Sequence, residues 1–462
     1  MSNYQLFYLK DVADSQTGPF GSQLHQSDYV SVGTPMVTVE HLGVERFTHQ
    51  NLPLVSDKDK ARLSKYILKE GDIVFSRVGS VDRCTYVTKE EDGWMFSGRC
   101  IRVRANKNAI GRYLNFYFRQ EEFKKMMLNI SVGATMPSLN TKLMDNIPLK
   151  LPSLYTQQKI AKVLSDLDAK IELNNKINTV LETMAKTLYD YWFVQFDFPD
   201  ANGKQYKTSG GKMVWNEELK REIPQGWEAD VLGSWIGKDK SGDWGKEVIE
   251  GNYTEKVHCI RGADLNGLNG NGEVKAPTRY ILEKNSHKML DPHDLIVEIS
   301  GGSPTQSTGR MAYITKETLS RFDAPIICSN FCKAVTLKDE IYLYNFAFEW
   351  NKAYDNGILF GYEGKTSGIK NLLFESFVSS YYTTKPPENL AEKFYDFMEP
   401  IQSKKQKNLL ENQQLASLRD WLLPMMMNGQ VSVGEVAKEY EMKEEVLGMV
   451  AEEKIDCSSN NN

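Results

Sequence analysis

At 462 residues, with 41% hydrophobic and 25% charged residues, the chain has the composition of a soluble globular protein with room for two sizeable cores. Its net charge of −5 has the wrong sign for an ordinary nucleic-acid binder, but eight acids against three lysines from Gly434 onward account for all of it. No run of 18 apolar residues suggests a membrane span, and Met1 to Leu9 lacks the basic and apolar regions of a signal peptide.

Residues 1–152 read as a mixed, strand-rich domain. Val37 to Val39, Ile73 to Phe75, Tyr86 to Thr88 and Cys100 to Val103 are short β-branched or aromatic runs between turn residues. Tyr113 to Leu128 has helical spacing and reads as one helix. Residues 1–150 hold 20 Lys/Arg against 16 Asp/Glu, so non-specific affinity for DNA is expected to be weak. Partner subunits would then supply part of the phosphate contact.

Residues 153–199 form the next segment. A long helix is predicted from Gln157 to about Val194, roughly 50 Å long at 1.5 Å per residue. A strand from Phe193 to Phe198 follows. Asp200 to Gly211 reads as a linker at the head of a second strand-rich region, 200–385. A distal helix is predicted from about Asn389 to Leu423, stopping at Pro424, within a segment 386–430. An acidic tail, 431–462, ends the chain.

The two halves repeat each other. Ile160, Leu164, Leu167 and Ile171 have the spacing of Leu390, Phe394, Phe397 and Ile401, at an offset of 230. The same offset pairs Asn178 with Asn408 and Leu188 with Leu418. Buried asparagines at matched positions would fix the register of a helix pair at a cost in stability, and two exposed asparagines are the alternative. These residues are the predicted helix-pair and partner-docking set. Upstream, Gly71-Asp72-Ile73-Val74 is echoed by His293-Asp294-Leu295-Ile296-Val297, and Cys100 to Val103 by Cys332 to Val335. The frame repeats while loop lengths vary. The fold class is therefore α+β, with two pseudo-symmetric strand-rich heads separated by two long antiparallel coiled-coil helices. Such a shape suits reading two separated marks on DNA.

Catalytic signals are largely absent. Gly364-Lys365-Thr366 ends like a phosphate loop, but the glycine required five residues before Gly364 is Leu359. The six histidines show no metal-ligand spacing, and the six cysteines form no CxxC pair. Reduced thiols in a cytoplasm, no metal and no catalytic residue are the expectation. Binding signals are stronger. Arg77, Gly79, Ser80 and Arg83 follow a predicted strand, and Ser97, Arg99 and Arg102 lie near the next. Arginine can bond guanine O6 and N7 in a bidentate way. The matching places in the second half hold Gly302, Ser303, Gln306, Ser307, Thr308 and Arg310, then Ser329, Asn330 and Lys333. Glutamine suits adenine, and hydroxyls suit bases or phosphates.

Several stretches carry a family likeness. They are Gly18-Pro19-Phe20-Gly21-Ser22, Gln157-Gln158-Lys159-Ile160-Ala161 with Leu164 to Ile171, Trp192 to Phe198, Ile223-Pro224-Gln225-Gly226-Trp227, and Leu415 to Leu423. Together they resemble the specificity (S) subunit of type I restriction–modification enzymes. The resemblance implies two target-recognition domains, each reading half of a bipartite sequence in double-stranded DNA. It also implies two docked modification (methyltransferase) subunits and restriction motor-nuclease subunits. S-adenosylmethionine, ATP and magnesium would belong to those partners. A two-headed coiled-coil scaffold that binds proteins without DNA specificity is the alternative.

Overall fold

The computed structural model describes residues 4–431, apart from 44, 134, 201, 304, 367 and 368 and the side chains of 365 and 366. The acidic tail predicted from 431 lies, beyond its first residue, outside the described residues. The chain divides into two compact units, one of residues 1–169 with 415–462 and the other of residues 170–414.

In the first unit a four-stranded antiparallel sheet runs in the order Ala13–Thr17, Cys100–Ala105, Ile73–Ser76, Cys84–Tyr86. The β-branched and aromatic runs seen in the sequence form its centre, where Ile73, Val74 and Phe75 are fully buried. In the second unit a sheet runs in the order Ile236–Ser241, Cys332–Leu337, Leu295–Glu298, Met311–Tyr313, again antiparallel throughout. The registers match as well as the orders. Ile73 faces Val103 and Tyr86, and Leu295 faces Val335 and Tyr313. A parallel pairing accompanies each sheet, Thr34–Val37 with Met95–Phe96 and Tyr253–Ile260 with Ile326–Cys328. A two-stranded ribbon closes each head before its long helix, Gln5–Tyr8 with Pro148–Leu151 and Glu228–Val231 with Tyr382–Lys385.

Each sheet is pinned by a buried aspartate at the same point of the fold. Asp72 accepts from the backbone N–H of Lys69 at 2.8 Å and takes both nitrogens of an Arg104 fork at 2.6 Å. Asp294 accepts from the N–H of Asp291 at 2.9 Å, from Lys240 Nζ at 2.9 Å and from Thr336 Oγ1 at 2.5 Å. The carboxylate is common to both heads, and its cation comes from a different strand in each.

The first long helix spans Leu154–Tyr189 and the second spans Glu388–Met427. They pair antiparallel within each unit. In the second unit Asn174 meets Asn412, Asn178 meets Asn408 and Glu182 meets Lys405, so one index falls as the other rises. In the first unit Asp168 accepts from Arg419 at 2.9 Å.

Three expectations need correction. Tyr113 to Leu128 is two helices, Gly111–Phe118 and Glu121–Ile130, because Gln120 is extended and starts the second. The break lets Phe118 and Phe123 pack with ring centroids 4.6 Å apart. Phe193 to Phe198 is not a strand. Asp190–Val194 is a π-helical turn closed by Gln195 N–H on Asp190 O at 2.8 Å, and Phe196 has φ +67°. This turn directs Phe196 and Phe198 onto Trp227, at 5.3 and 5.2 Å between ring centroids. The distal helix does not stop at Pro424. A proline forfeits one backbone bond, yet Asn428 N–H still reaches Pro424 O at 3.0 Å, and buried Met426 and Met427 hold the last turn. The helix ends where Gly429 takes φ +71°.

Candidate nucleic-acid interface

In the first head the loop after Ile73–Ser76 lies against the turn before Cys100–Ala105. Arg77 N–H donates to Arg99 O at 2.8 Å, and Gly79 N–H to Pro137 O at 2.9 Å with φ +83° at Gly79, which favours glycine there. A third loop joins them. Gly18 packs so closely on Ser97 that a Cβ would lie 2.2 Å from its carbonyl oxygen. Three chain segments thus share one edge of the head.

The predicted contacts in this head separate into two groups. Arg77 is a brace. Its Nε reaches Leu139 O at 3.3 Å, another guanidinium nitrogen reaches Gly98 O at 3.0 Å, and the group lies 5.9 Å from the Phe20 ring centre. Arg102 is 4% exposed and paired with Asp14 at 2.5 Å, so it holds the sheet and is not free to meet DNA. Burial lowers its pKa, and Asp14 works against that shift. Ser97 is buried beside Cys100 Sγ at 3.7 Å. Ser80, Arg83 and Arg99 are exposed, with Gly79 beside them. Arg83 makes one 3.3 Å bond to Leu42 O. The Arg99 side chain has no protein partner among the described residues.

The second head repeats the layout with other side chains. Ile299 N–H donates to Phe331 O at 2.9 Å, as Arg77 does to Arg99. Ser303 and Gln306 close a tight turn through a 3.0 Å backbone bond, and Gln306 Nε2 touches Tyr354 Oη at 3.2 Å. Gly302, Gln306 and Asn330 are exposed and Ser303 half-buried. The remaining predicted contacts are internal. Ser307, Thr308 and Ser329 are buried, and Thr308 N–H donates to Glu363 at 2.8 Å. Arg310 is held by Glu298 through bonds of 2.9 and 2.6 Å, which raise its pKa. Lys333 reaches Asp239 at 2.7 Å and Glu375 at 2.8 Å. Burial alone would lower its pKa, but these carboxylates hold it above the usual lysine range. Residue type and spacing could not reveal these pairings, because the acids come from distant strands and helices. Sequence reasoning also passed over Phe331, 54% exposed at the turn tip, and Trp244, whose ring carries the Arg279 guanidinium 4.2 Å from its centre. The one available signal was that Phe331 aligns with Arg99.

The predicted docking set faces inward. Ile160, Leu164, Leu167, Leu390, Phe394 and Ile401 are buried, as are Asn178 and Asn408, while Ile171, Leu188, Phe397 and Leu418 are half-buried. Leu390, Phe394 and Ile401 belong to the core of the second head, and Asn178 and Asn408 bond each other. The exposed apolar residues of the long helices are others, including Leu173, Val180, Met184 and Trp421.

Chemistry of catalytic type is thin among the described residues. His49, Glu90 and Glu91 lie close enough to share a metal ion. Their groups are already engaged: Glu91 takes His49 at 2.8 Å and Thr88 Oγ1 at 2.7 Å, and Glu90 pairs with Arg46 at 3.6 Å. Cys84, Cys100, Cys259 and Cys328 are unpaired and buried, and burial pushes each thiol up to about 12. Such thiols are poor nucleophiles and poor metal ligands.

Residues 1–183 match the family model described as the type I restriction modification DNA specificity domain. Over these residues and along much of its length the chain is similar to specificity subunits of type I restriction–modification systems. It is 26% identical over 334 residues to the type I restriction enzyme MjaIX specificity subunit of Methanocaldococcus jannaschii, covering 71% of each. It is 30% identical over 179 residues to the HindI specificity subunit of Haemophilus influenzae, covering 38% of each. In fold it resembles the crystal structure of a type I restriction–modification S subunit from M. genitalium, with a TM-score of 0.58 over 92% of this chain and 96% of that one, at 13% identity. Among the described residues no helix of this chain is long and apolar enough to cross a membrane.

Proposed function

We propose that this specificity subunit reads a bipartite sequence in double-stranded DNA, one half-site per head, and has no catalytic activity of its own. The observation that carries this reading is the doubled architecture. Two sheets of the same order, with matching registers among their inner strands, bring the same two loops together and display different side chains there. A repeated frame with divergent tips is what two readers of different half-sites require. Loop side chains would enter the major groove, and phosphate contacts would set the register.

The long helices set the spacing between half-sites in this reading. On the same reading two modification subunits dock on the subunit and restriction motor-nuclease subunits complete the assembly; its relatives are named as specificity subunits of type I restriction enzymes. S-adenosylmethionine, ATP and magnesium then sit on those partners, and the complex works in the cytoplasm. Mapping methylated adenines in cells with and without this chain tests the proposal. A two-part motif with a fixed gap that vanishes with the gene is expected. Identical maps would reject it.

A further inference from the structure

The two heads place opposite kinds of chemistry at one matched position. Arg99 and Phe331 each sit one residue before the central strand, and each carbonyl accepts the backbone N–H of the loop facing it. Arg99 carries a free cation, whereas Phe331 carries an exposed ring. The difference extends to the strand partner. Arg83 and Arg310 hold the same place in their sheets, but Arg83 lies opposite the end of a strand closed by Ser76, and Arg310 opposite Glu298. Ser76 turns its hydroxyl onto Val78 O at 3.0 Å and leaves Arg83 without a carboxylate. Glu298 clamps Arg310.

Among the described residues, carboxylates pair the cations on this edge of the second head. Lys333 has Asp239 and Glu375, Arg310 has Glu298, and Lys370 has Glu363 at 2.9 Å. Phe331 and Asn330 line an open cavity of about 620 Å³ together with Lys333, Glu375, Leu373 and Phe374. The cavity holds one such pair, Lys333 with Glu375, whose carboxylate stays 79% exposed. A surface whose described cations are each paired with a carboxylate gains little affinity by releasing counterions. It can gain it by apolar contact with a base, either the C5-methyl group of thymine or the face of a partly unstacked step.

Resting on the function proposed above, we infer that Phe331 is a specificity-determining contact of the second head. It reads its half-site by apolar contact with a base, where the first head uses the Arg99 cation. The two half-sites therefore differ in salt sensitivity. The test uses the full chain assembled with its modification subunits. Affinity is measured against salt on a duplex carrying the mapped target and on duplexes with either half-site scrambled. Phe331→Ala is expected to weaken the target complex about tenfold or more without changing the slope of log K against log salt, while Phe331→Leu retains most of the affinity. Arg99→Ala should reduce that slope by about 1, and Phe331→Arg should increase it by about 1. Wild-type affinity and an unchanged methylation map for Phe331→Ala would overturn the inference. So would a slope change like that of Arg99→Ala, or loss of modification-subunit assembly with DNA recognition intact, which would make Phe331 a protein contact. If the wild-type complex binds target and scrambled duplexes equally, the function proposed above fails first.

Discussion

Asn408 Nδ2 donates to Asn178 Oδ1 across 2.8 Å, joining two buried side chains that occupy the same place in each copy of the repeat. Neighbouring groups extend this polar layer. Asn174 Nδ2 reaches Glu411 at 2.7 Å and Asn412 Oδ1 at 2.9 Å, and Lys405 pairs with Glu182. Buried amides cost desolvation that only a matching amide offsets, so a slipped helix pair would strand them. Asn408→Leu should destabilise the chain by about 1–3 kcal/mol by leaving Asn178 unpaired, whereas the double leucine variant should recover most of that loss. A denaturant-unfolding cycle of both single variants and the double variant measures the coupling.

Asp72 and Asp294 predict matched stability losses in the two heads. Each is buried against a cation and a backbone N–H. Asp72→Ala leaves Arg104 without its carboxylate, and Asp294→Ala removes the buried partner of Lys240. Each change should cost about 3–5 kcal/mol, the range for breaking a buried pair on one side. Hydrogen exchange, followed head by head, should show protection lost mainly in the head that carries the change. Equal loss in both heads would contradict the separate cores.

Asp264 makes the second unit sensitive to acid. Burial opposes its ionisation, but the Arg261 guanidinium and backbone N–H groups of Arg261 and Lys275 outweigh that and hold its pKa below the usual aspartate value. A depressed folded-state pKa gives stability that is present above the unfolded value of about 3.9 and is lost as pH falls through the lower folded value. Thermal unfolding should therefore show a falling midpoint below about pH 4. In Asp264→Asn that acid-side slope should flatten, with lower stability at neutral pH.

Changing the helices and changing a head should alter different features of the DNA target. Lengthening both long helices by two whole turns, about 7 residues in each, should lengthen the gap between half-sites and leave both sequences unchanged. Replacing residues 1–150 with another first head should change one half-site alone. Methylation mapping reads both results, and a changed gap after the head swap would contradict the division of labour.

How far the sequence could be read depends on the range of the forces involved. The helix pair was legible because apolar spacing and the repeat at 230 residues are local signals that survive without coordinates. The echo of Asp72-Ile73-Val74 in Asp294-Leu295-Ile296 likewise located matched strands. The end of the distal helix at Pro424 was misread because burial of Met426 and Met427, a tertiary effect, outweighs one lost backbone bond. At the candidate interface residue type misled more often. Arg102, Arg310 and Lys333 look like DNA contacts until the strands bring Asp14, Glu298, Asp239 and Glu375 against them.

The sequence by itself determined the duplication, the α+β class and the places where each head presents its loops, because periodicity and repeated spacing are properties of the chain. Only the tertiary structure decided which side chains at those places are free. Ion pairing between residues far apart in sequence cancels some cations and leaves Arg99 exposed, and the same folding leaves the Phe331 ring in solvent. A charge pairs with whatever the fold sets within a few ångströms, and one-dimensional spacing carries no record of that distance.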